Sequence, residues 1–391
     1  MEPMRFEKGE NSVTVFASGR ISSVNAEEFY TRISEAAGDE RNLTLDCEEL
    51  AYISSAGLRV LLRLRGAHPG MKLVNVLPDV YSVLEMTGFT EIIEVGRALR
   101  EIDVEGCELI GEGANGKVYR TDPETIVKVF TGSDGIAQID SERELARKAF
   151  VLGVPTAIPY DVVKIRGGGY GSVFELIKSS SLAGLLKRGE ISVEDAARLS
   201  AELLHTLHSI ETEPGTLPSM KETFLGYLGF LNGRLPEDTY EKARALLLAL
   251  PDSLNLVHGD LHLKNIMYRE GEAFIIDMDK LSCGHPVFDL AAIYTCYRAF
   301  GRLDHNVTLE FLGVPYETSG RLWAQLLKDY IGDDEARISR AESAAEFICS
   351  IQLMRYMIRH REDDPVSRDE GRDHFASRIR KLSNELKTLE F

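Results

Sequence analysis

The sequence predicts two domains, an N-terminal α/β sandwich followed by a larger α+β domain with two lobes. Three observations support this prediction. The chain has 391 residues, which is long for a single domain. Strand-like and helix-like segments alternate through its first quarter. A glycine-rich hairpin and a loop rich in aspartate and histidine then lie far apart in a long mixed region.

Composition restricts the classes of partner and the cellular location. The chain is 44% hydrophobic, which supplies full cores, and its net charge of −17 opposes non-specific binding to nucleic acid or to an anionic membrane. Its five cysteines are scattered without CxxC pairs, as expected of reduced thiols. The charged start "MEPMRFEKGE" does not suit a signal peptide, and no stretch is apolar enough to span a membrane. We therefore expect a cytoplasmic protein.

Periodicity assigns the elements of the first domain in order. Apolar residues alternate in the predicted strands and recur at helical spacing in the predicted helices. Asn25 and Pro78 are residues that favour helix starts. The strands are Ser12–Gly19, Asn42–Cys47, Met71–Val76 and Glu91–Val95, and the helices are Asn25–Ala37, Ala56–Gly66 and Pro78–Phe89.

The turn "YISSAGLRVLL" places Ser54 and Ser55 where a strand ends and a helix begins. A helix N-terminus favours a phosphate, but an unmodified serine also caps a helix well. From Met4 to Gly96 the chain resembles the STAS domain of bacterial anti-sigma factor antagonists. Alignment on Gly57 implies that Ser55 is the phosphoacceptor and Ser54 mainly structural. The family's aspartate is Ser54 here, so the local charge differs and both interpretations of Ser55 stay open.

The second domain begins with a glycine-rich segment, "LIGEGANGKVYR", after a charged linker. Gly111, Gly113, Gly116 and Val118 fit the pattern G-x-G-x-x-G-x-V. A strand and a turn follow the glycines, where a dinucleotide fold would need a helix, and this favours the phosphate loop of a kinase. Lys128 follows ten residues after Val118, where the α- and β-phosphates of ATP need a cation.

A helix within Asp140–Pro155 should hold the carboxylate that pairs with Lys128. We predict Glu144, because Ala149 and Leu152 lie on its apolar side, with Glu142 as the alternative. The segment "YGSVFELIKSSSL" then predicts a strand that leads into a hinge. There Glu175 and Ile177 should offer backbone groups to adenine.

The strongest signal is "LVHGDLHLKNIMYREGEAFIIDMDKLSCGHPVFDLA", which starts at Leu256. Asp260 and Asn265 have the spacing of the base and the metal-binding asparagine in a kinase catalytic loop, and Asp277 follows a strand. Phosphoryl transfer needs in-line positioning, a carboxylate that accepts the hydroxyl proton, and divalent ions that offset phosphate charge.

From Leu109 to Ala292, and more weakly to Phe391, these motifs resemble the aminoglycoside phosphotransferase and choline kinase superfamily, which has a protein-kinase-like fold. The resemblance implies ATP and Mg²⁺ as cofactors, Asp260 as the catalytic base, Asn265 and Asp277 as metal ligands, and Asp289 as a structural residue. Two questions stay open at this stage. Asp279 is either a second metal ligand or a turn cap. His258 and His262 could form a zinc pair, but they fit the loop scaffold better.

The chain departs from the protein-kinase pattern in three ways, one of which is Asp277-Met278-Asp279 in place of Asp-Phe-Gly. The usual arginine before the catalytic aspartate is replaced by Gly259, and Asp289 follows only twelve positions after Asp277. A long activation segment that would seat a peptide cannot fit there. The sequence therefore favours a small-molecule hydroxyl acceptor over a protein.

The expected domains are a STAS domain (1–97), a linker (98–106), a kinase-like N-lobe (107–178) and a helical C-lobe (179–391). We expect an ATP- and Mg²⁺-dependent phosphotransferase whose STAS module is regulatory or binds an anti-sigma factor-like protein. The alternative is a bacterial signalling protein, an anti-sigma factor antagonist whose kinase domain phosphorylates Ser55 or a protein partner. The intact Lys128, Asp260, Asn265 and Asp277 argue against an inactive pseudokinase.

Overall fold

The computed structural model describes residues 4–9, 11–113, 116–130, 135–360 and 365–391, and these form two compact units. The first unit covers the chain up to residue 103 together with 163–166, and the second covers 104–162 and 167–391. Each unit has its own buried apolar cluster. Among the helices of these ranges, none is long and apolar enough to cross a membrane.

A five-stranded sheet forms the centre of the first unit, with its strands in sequence order. The first pair is antiparallel and the other pairs are parallel. Val13, Val15 and Ala17 are buried in alternation, as the sequence pattern predicts. The strands are β1 (Arg5–Lys8), β2 (Ser12–Ile21), β3 (Asn42–Ile53), β4 (Lys72–Val76) and β5 (Glu94–Arg97). A further short strand, β6 (Arg100–Ile102), pairs in parallel with residues 163–165.

Four helices cover this sheet: α1 (Ala26–Ala37), α2 (Ser55–Ala67), α3 (Pro78–Met86) and α4 (Phe89–Ile92). Phe29, Ile33 and Ala37 of α1 are buried, in agreement with their predicted spacing. The predicted strand Glu91–Val95 is wrong in its first residues. Gly88 adopts a left-handed conformation with φ of 74°, and the chain turns there into α4 before β5 begins.

The second unit begins with a sheet in the order β10-β11-β9-β8-β7. Antiparallel hairpins join β7 to β8 and β8 to β9, as predicted for a phosphate loop and the strand that follows it. Helix α5 (Gly135–Val151) lies between β9 and β10 in the chain. The strands are β7 (Glu108–Gly113), β8 (Gly116–Arg120), β9 (Thr125–Phe130), β10 (Pro159–Ile165) and β11 (Tyr170–Glu175).

The remainder of the second unit is mainly helical and carries the largest core. Short strand pairs in it present the loops that follow Val257 and Ile275. The strands are β12 (Ser180–Ser181), β13 (Leu256–Val257), β14 (Ile266–Arg269), β15 (Glu272–Ile275) and β16 (Ser282–Cys283). The helices are α6 (Leu182–Lys187), α7 (Val193–Ser209), α8 (Met220–Phe230), α9 (Glu237–Ala249), α10 (Val287–Tyr294), a π-helical turn (Thr295–Ala299), α11 (Phe300–Leu303), α12 (His305–Leu312), α13 (Tyr316–Ile331), α14 (Glu335–His360) and α15 (Pro365–Glu385).

Candidate active site

A cavity of about 490 Å³ lies in the second unit, between the sheet and the helical part. Gly111, Val118 and Lys128 line it from the sheet, and Ile276 and Asp277 line it from the loop after β15. This volume lies within the range of ordinary small-molecule sites. The structure therefore brings the glycine hairpin, the lysine and the second aspartate motif to one cavity.

The glycine hairpin closes with Gly113 opposite Gly116, and Ala114 and Asn115 at its tip lie outside the described residues. Gly116 has a φ of 151°, and a Cβ atom there would lie only 2.0 Å from the carbonyl oxygen of Val129. Any side chain at this position would collide with the neighbouring strand. The close approach of β8 to β9 thus requires this glycine.

Lys128 lies opposite Val118 on the neighbouring strand, and its ammonium has two carboxylate partners. Its Nζ donates to Glu142 Oε1 at 2.7 Å and to Asp277 Oδ1 at 2.8 Å. Burial lowers the pKa of Lys128, but the two carboxylates raise it by more, so its pKa lies above the ordinary value. The lysine is therefore held charged inside the cavity.

The predicted partner of Lys128 was Glu144, and this prediction is wrong. Glu144 is on the outer side of α5, where it pairs with Arg147 at 3.1 Å and with Lys148 at 3.8 Å. Glu142 precedes the buried Ala149 by seven residues, which is about two helical turns, so both lie on the same face of the helix. Glu144 precedes Ala149 by five residues and therefore lies on a different face of the helix.

The hinge residues Glu175 and Ile177 both line the cavity. The backbone N–H of Glu175 donates to the Ile158 carbonyl at 3.0 Å, and the N–H of Ser179 donates to the Ile177 carbonyl at 2.8 Å. These bonds fix the course of the hinge along the cavity wall. The contact of this hinge with adenine stays a prediction.

The loop after β13 holds Asp260 and Asn265. Asn265 donates from Nδ2 to the Asp260 carbonyl at 3.1 Å, so Oδ1 is its remaining acceptor atom. Asp260 Oδ2 accepts a hydrogen bond from Lys280 Nζ at 2.7 Å. Burial raises the pKa of Asp260, but Lys280 lowers it by more, and its pKa lies below the ordinary value. Asp260 is therefore ionised at neutral pH.

Asp289 holds this loop through hydrogen bonds to its backbone. It is fully buried and accepts hydrogen bonds from the backbone N–H groups of His258 at 2.9 Å and Gly259 at 2.7 Å. Its Oδ2 also lies 3.1 Å from His208 Nε2, and His208 Nδ1 lies 2.6 Å from the Tyr330 hydroxyl. Asp289 thus fixes the backbone immediately before Asp260, which is the place predicted for a structural residue.

The two histidines of the loop belong to its scaffold. His258 Nδ1 accepts from the N–H of Asp260 at 3.2 Å, and His258 Nε2 donates to the Ile276 carbonyl at 3.2 Å. Burial lowers the pKa of His262 to about 4, and its ring packs edge-on against Phe311. In the described part of the chain, no group of three or more His, Cys, Asp or Glu side chains is placed to hold a metal ion.

The donor atoms around Asp277 nevertheless suit a hard cation, because carboxylate and amide oxygens are the ligands that Mg²⁺ prefers. Asp277 has a left-handed φ of 69°, which is uncommon for a residue other than glycine and concentrates at functional sites. Burial and the charge of Asp277 raise the pKa of Asp279 to about 6. A divalent cation held by Asn265 and Asp277 would offset that repulsion.

Sequence reasoning did not identify Lys280. It is 20 positions from Asp260 in the chain, and the two meet only because the loops after β13 and β15 come together. No spacing rule connects them. The run of charged residues at Asp277, Asp279 and Lys280 was the available signal, and it did not specify a partner.

In the first unit, Ser54 and Ser55 have different environments. Ser54 is the N-cap of α2, and its hydroxyl accepts from the N–H of Gly57 at 3.3 Å. Ser55 is the first residue of the helix and is exposed. A Cβ atom on Gly57 would lie 2.7 Å from both Ile21 and Ile53, so the glycine lets α2 pack directly on the two strands.

The matches to known families follow the same order along the chain as the two structural units. Residues 106–323 match the phosphotransferase enzyme family, and residues 4–102 match the STAS domain. The first match covers more than half of the chain.

Individual proteins resemble one part or the other. BtrV of Bordetella bronchiseptica, a proposed anti-sigma factor antagonist, is 32% identical over 100 residues, which is 24% of this chain and 86% of that protein. The crystal structure of the ADP-bound aminoglycoside phosphotransferase APH(2'')-Ib aligns with a TM-score of 0.51 at 18% identity, over 78% of this chain and 99% of that one. A choline/ethanolamine kinase family protein from Mesorhizobium loti aligns with a TM-score of 0.45 at 18% identity, over 71% of this chain and 87% of that one.

Proposed function

Because the chain belongs to the phosphotransferase enzyme family, we propose that it transfers the γ-phosphate of ATP to the hydroxyl group of a small molecule, in a reaction that depends on Mg²⁺. One observation supports this proposal above the others. Lys128 Nζ and Asp277 Oδ1 are 149 positions apart in the chain, yet they lie 2.8 Å apart at one cavity. A cation for phosphates and a carboxylate for a metal are the two charges that a bound nucleotide triphosphate requires.

Each residue then has a distinct role. Lys128, braced by Glu142, binds the α- and β-phosphates. Glu175 and Ile177 contact adenine through the hinge backbone. Asn265 and Asp277 hold Mg²⁺, which when bound offsets the charge of the phosphates.

Asp260 orients the acceptor hydroxyl and takes its proton. The hydroxyl oxygen forms a bond to the γ-phosphorus as the bond between that phosphorus and the bridging oxygen of ATP breaks, and ADP leaves. Asp289 keeps the Asp260 backbone in place through the N–H groups of His258 and Gly259. The proposal includes action in the cytoplasm, where ATP is available.

The short segment between Asp277 and Asp289 supports a small acceptor, because it leaves no room for a peptide-seating segment. Aminoglycosides, amino alcohols and sugars are the acceptor classes to be tested first. The experiment measures ADP release from Mg–ATP with amines, sugars and amino alcohols, beside Asp260→Asn. An acceptor-dependent rate that Asp260→Asn abolishes would support the proposal, and equal rates in both proteins would contradict it.

A second candidate function concerns the first unit, and the exposed Ser55 at the start of α2 favours it. By its resemblance to BtrV, this unit would bind an anti-sigma factor-like protein. A phosphate on Ser55 would add about −1.5 to −2 charge to the binding surface and weaken that complex. The kinase domain is the less favoured donor, because its loop suits small acceptors, and a separate kinase is the better candidate.

The test for this second function maps label from ATP by mass spectrometry in the full-length protein, in Ser55→Ala and in Asp260→Asn. Label on Ser55 that Asp260→Asn removes would establish self-phosphorylation. Label that appears only with cell extract would identify a separate kinase. No label under either condition would leave Ser55 as a helix residue only.

A further inference from the structure

Lys280 is placed unusually close to the carboxylate that the proposed reaction uses as its base. Its Nζ lies 2.7 Å from Asp260 Oδ2, with 45% of the Lys280 side chain and 32% of the Asp260 side chain exposed. Neither charge is therefore deeply buried, and an incoming substrate can reach both. The contact joins the loop after β13 to the loop after β15.

The backbone around Lys280 is also fixed against the catalytic loop. A Cβ atom on Gly259, which has a φ of 79°, would lie 2.9 Å from the Lys280 carbonyl oxygen and 3.0 Å from its Cβ. The Ser282 hydroxyl donates to the same carbonyl at 2.9 Å. Gly259 thus allows the two loops to touch, and Lys280 starts from an anchored position.

Because of the ion pair, the two carboxylate oxygens of Asp260 have different partners. Lys280 occupies Oδ2, so Oδ1 is the oxygen left to accept a hydrogen bond from the acceptor hydroxyl. A base must lie about 2.6–3.2 Å from the proton's donor oxygen, so the orientation of the carboxylate matters. A carboxylate held by one oxygen turns less than a free one and meets the hydroxyl in a repeatable geometry.

The lysines near Asp260 differ in the groups that they face. Glu142 and Asp277 are engaged by Lys128 on the nucleotide side. Lys264 of the catalytic loop lines the nucleotide cavity, and its Nζ lies 4.8 Å from the centre of the Phe311 ring. Lys280 instead pairs with Asp260, and its charge also acts on the nearby Asp279 carboxylate.

We infer that Lys280 is a positioning residue that holds Asp260 through Oδ2 for the acceptor hydroxyl. This inference rests on the proposed phosphotransfer, and it adds a positioning residue to that same site.

The test compares Lys280→Met and Lys280→Arg in the full-length protein, with Lys328→Met as the matched control. Lys328 is exposed on α13 and pairs with Asp333, away from the loops described. ATP hydrolysis, in which water is the acceptor, gives kcat and the KM for ATP without knowledge of the natural acceptor. We expect Lys280→Met to lower kcat about tenfold or more, since a positioned base contributes about 10²–10⁴-fold. The KM for ATP should change less than about twofold, and Lys280→Arg should restore most of the rate because it keeps the charge.

Several results would overturn this inference. They are an unchanged kcat in Lys280→Met, a loss confined to the KM for ATP, or an Arg variant no better than the Met variant. If wild type and Asp260→Asn hydrolyse ATP equally, the proposed function fails and this inference falls with it. If only Asp260→Asn is impaired, the proposed function stands and the role of Lys280 fails alone.

Discussion

Lys128 pairs with Glu142, 2.7 Å from Nζ to Oε1, and not with Glu144 two residues further along the same helix. The side chain of Glu142 is 5% exposed, whereas that of Glu144 is 45% exposed and faces Arg147. Two residues on a helix that are two positions apart point about 200° apart, so one helix cannot offer both carboxylates to one lysine. This relationship fixes the orientation of α5 toward the cavity.

A pair of matched substitutions tests that orientation. Glu142→Gln should lower kcat/KM for ATP by about tenfold or more, because the phosphate-binding lysine loses one of its two anchors. Glu144→Gln should stay within about twofold of wild type, since surface ion pairs contribute little. Steady-state ADP release measures both. Equal losses in the two variants would mean that α5 presents a different face in solution.

The sequence predicts the order of the domains, and it predicts the glycine hairpin, the lysine and the second aspartate motif that meet at the cavity, because glycine loops, aspartate spacings and apolar periodicity are local signals. Ala149 and Leu152 alone favour Glu144 as the partner of Lys128, so the sequence ranks Glu142 second. The buried series is Ile139, Glu142, Ala146 and Ala149, in which a charged residue occupies an apolar stripe. Such a residue is recognised only when its partner on another element is known.

Lys280 illustrates a second limit. Its contact with Asp260 depends on how two loops meet at the ends of different strand pairs. Sequence spacing describes positions along one element and carries no information on the distance between two elements. The same limit applies to His208, whose ring meets Asp289 across 81 positions.

The C-terminal helices contain a buried ion cluster that predicts a pH dependence of stability. Glu346 on α14 accepts from Arg378 Nε at 2.8 Å and Nη2 at 2.6 Å, and it also pairs with Arg302. Burial raises the pKa of Glu346, but the two arginines lower it by more, so its folded pKa is below its unfolded one. The stabilisation from this shift is therefore present above the unfolded pKa, about 4.3, and is lost as the pH falls through the folded value.

Glu346→Gln should accordingly destabilise the second unit by about 3 kcal/mol near pH 7, because two arginines lose their carboxylate. The difference from wild type should shrink as the pH falls below about 4. Glu385→Gln on α15 is the control, since Glu385 is exposed and lies 3.9 Å from Lys381. Urea unfolding followed by Trp323 fluorescence gives these values. A difference that is constant from pH 7 to 3 would contradict the account.

The two serines of the first unit should respond differently to removal of the hydroxyl. Ser54→Ala loses the cap on the N–H of Gly57 and should weaken α2 by about 1 kcal/mol. Hydrogen exchange within Ser55–Ala67 should then be about fivefold faster, if exchange follows local opening. Ser55→Ala should leave exchange nearly unchanged, because Ser55 is exposed and is not the cap. Equal acceleration in both variants would show that Ser55 also supports the helix.

The measurement that bears most directly on the central claim is binding and turnover of Mg–ATP by wild type and Asp260→Asn. We predict that Mg–ATP raises the Tm of both proteins, since Asp260 is placed to act on the acceptor and not to bind the nucleotide. We predict that turnover falls by about 10² or more in Asp260→Asn, the usual scale for a lost general base. If Mg–ATP leaves the Tm of the wild type unchanged and no ADP is released, the chain is not an ATP-dependent phosphotransferase.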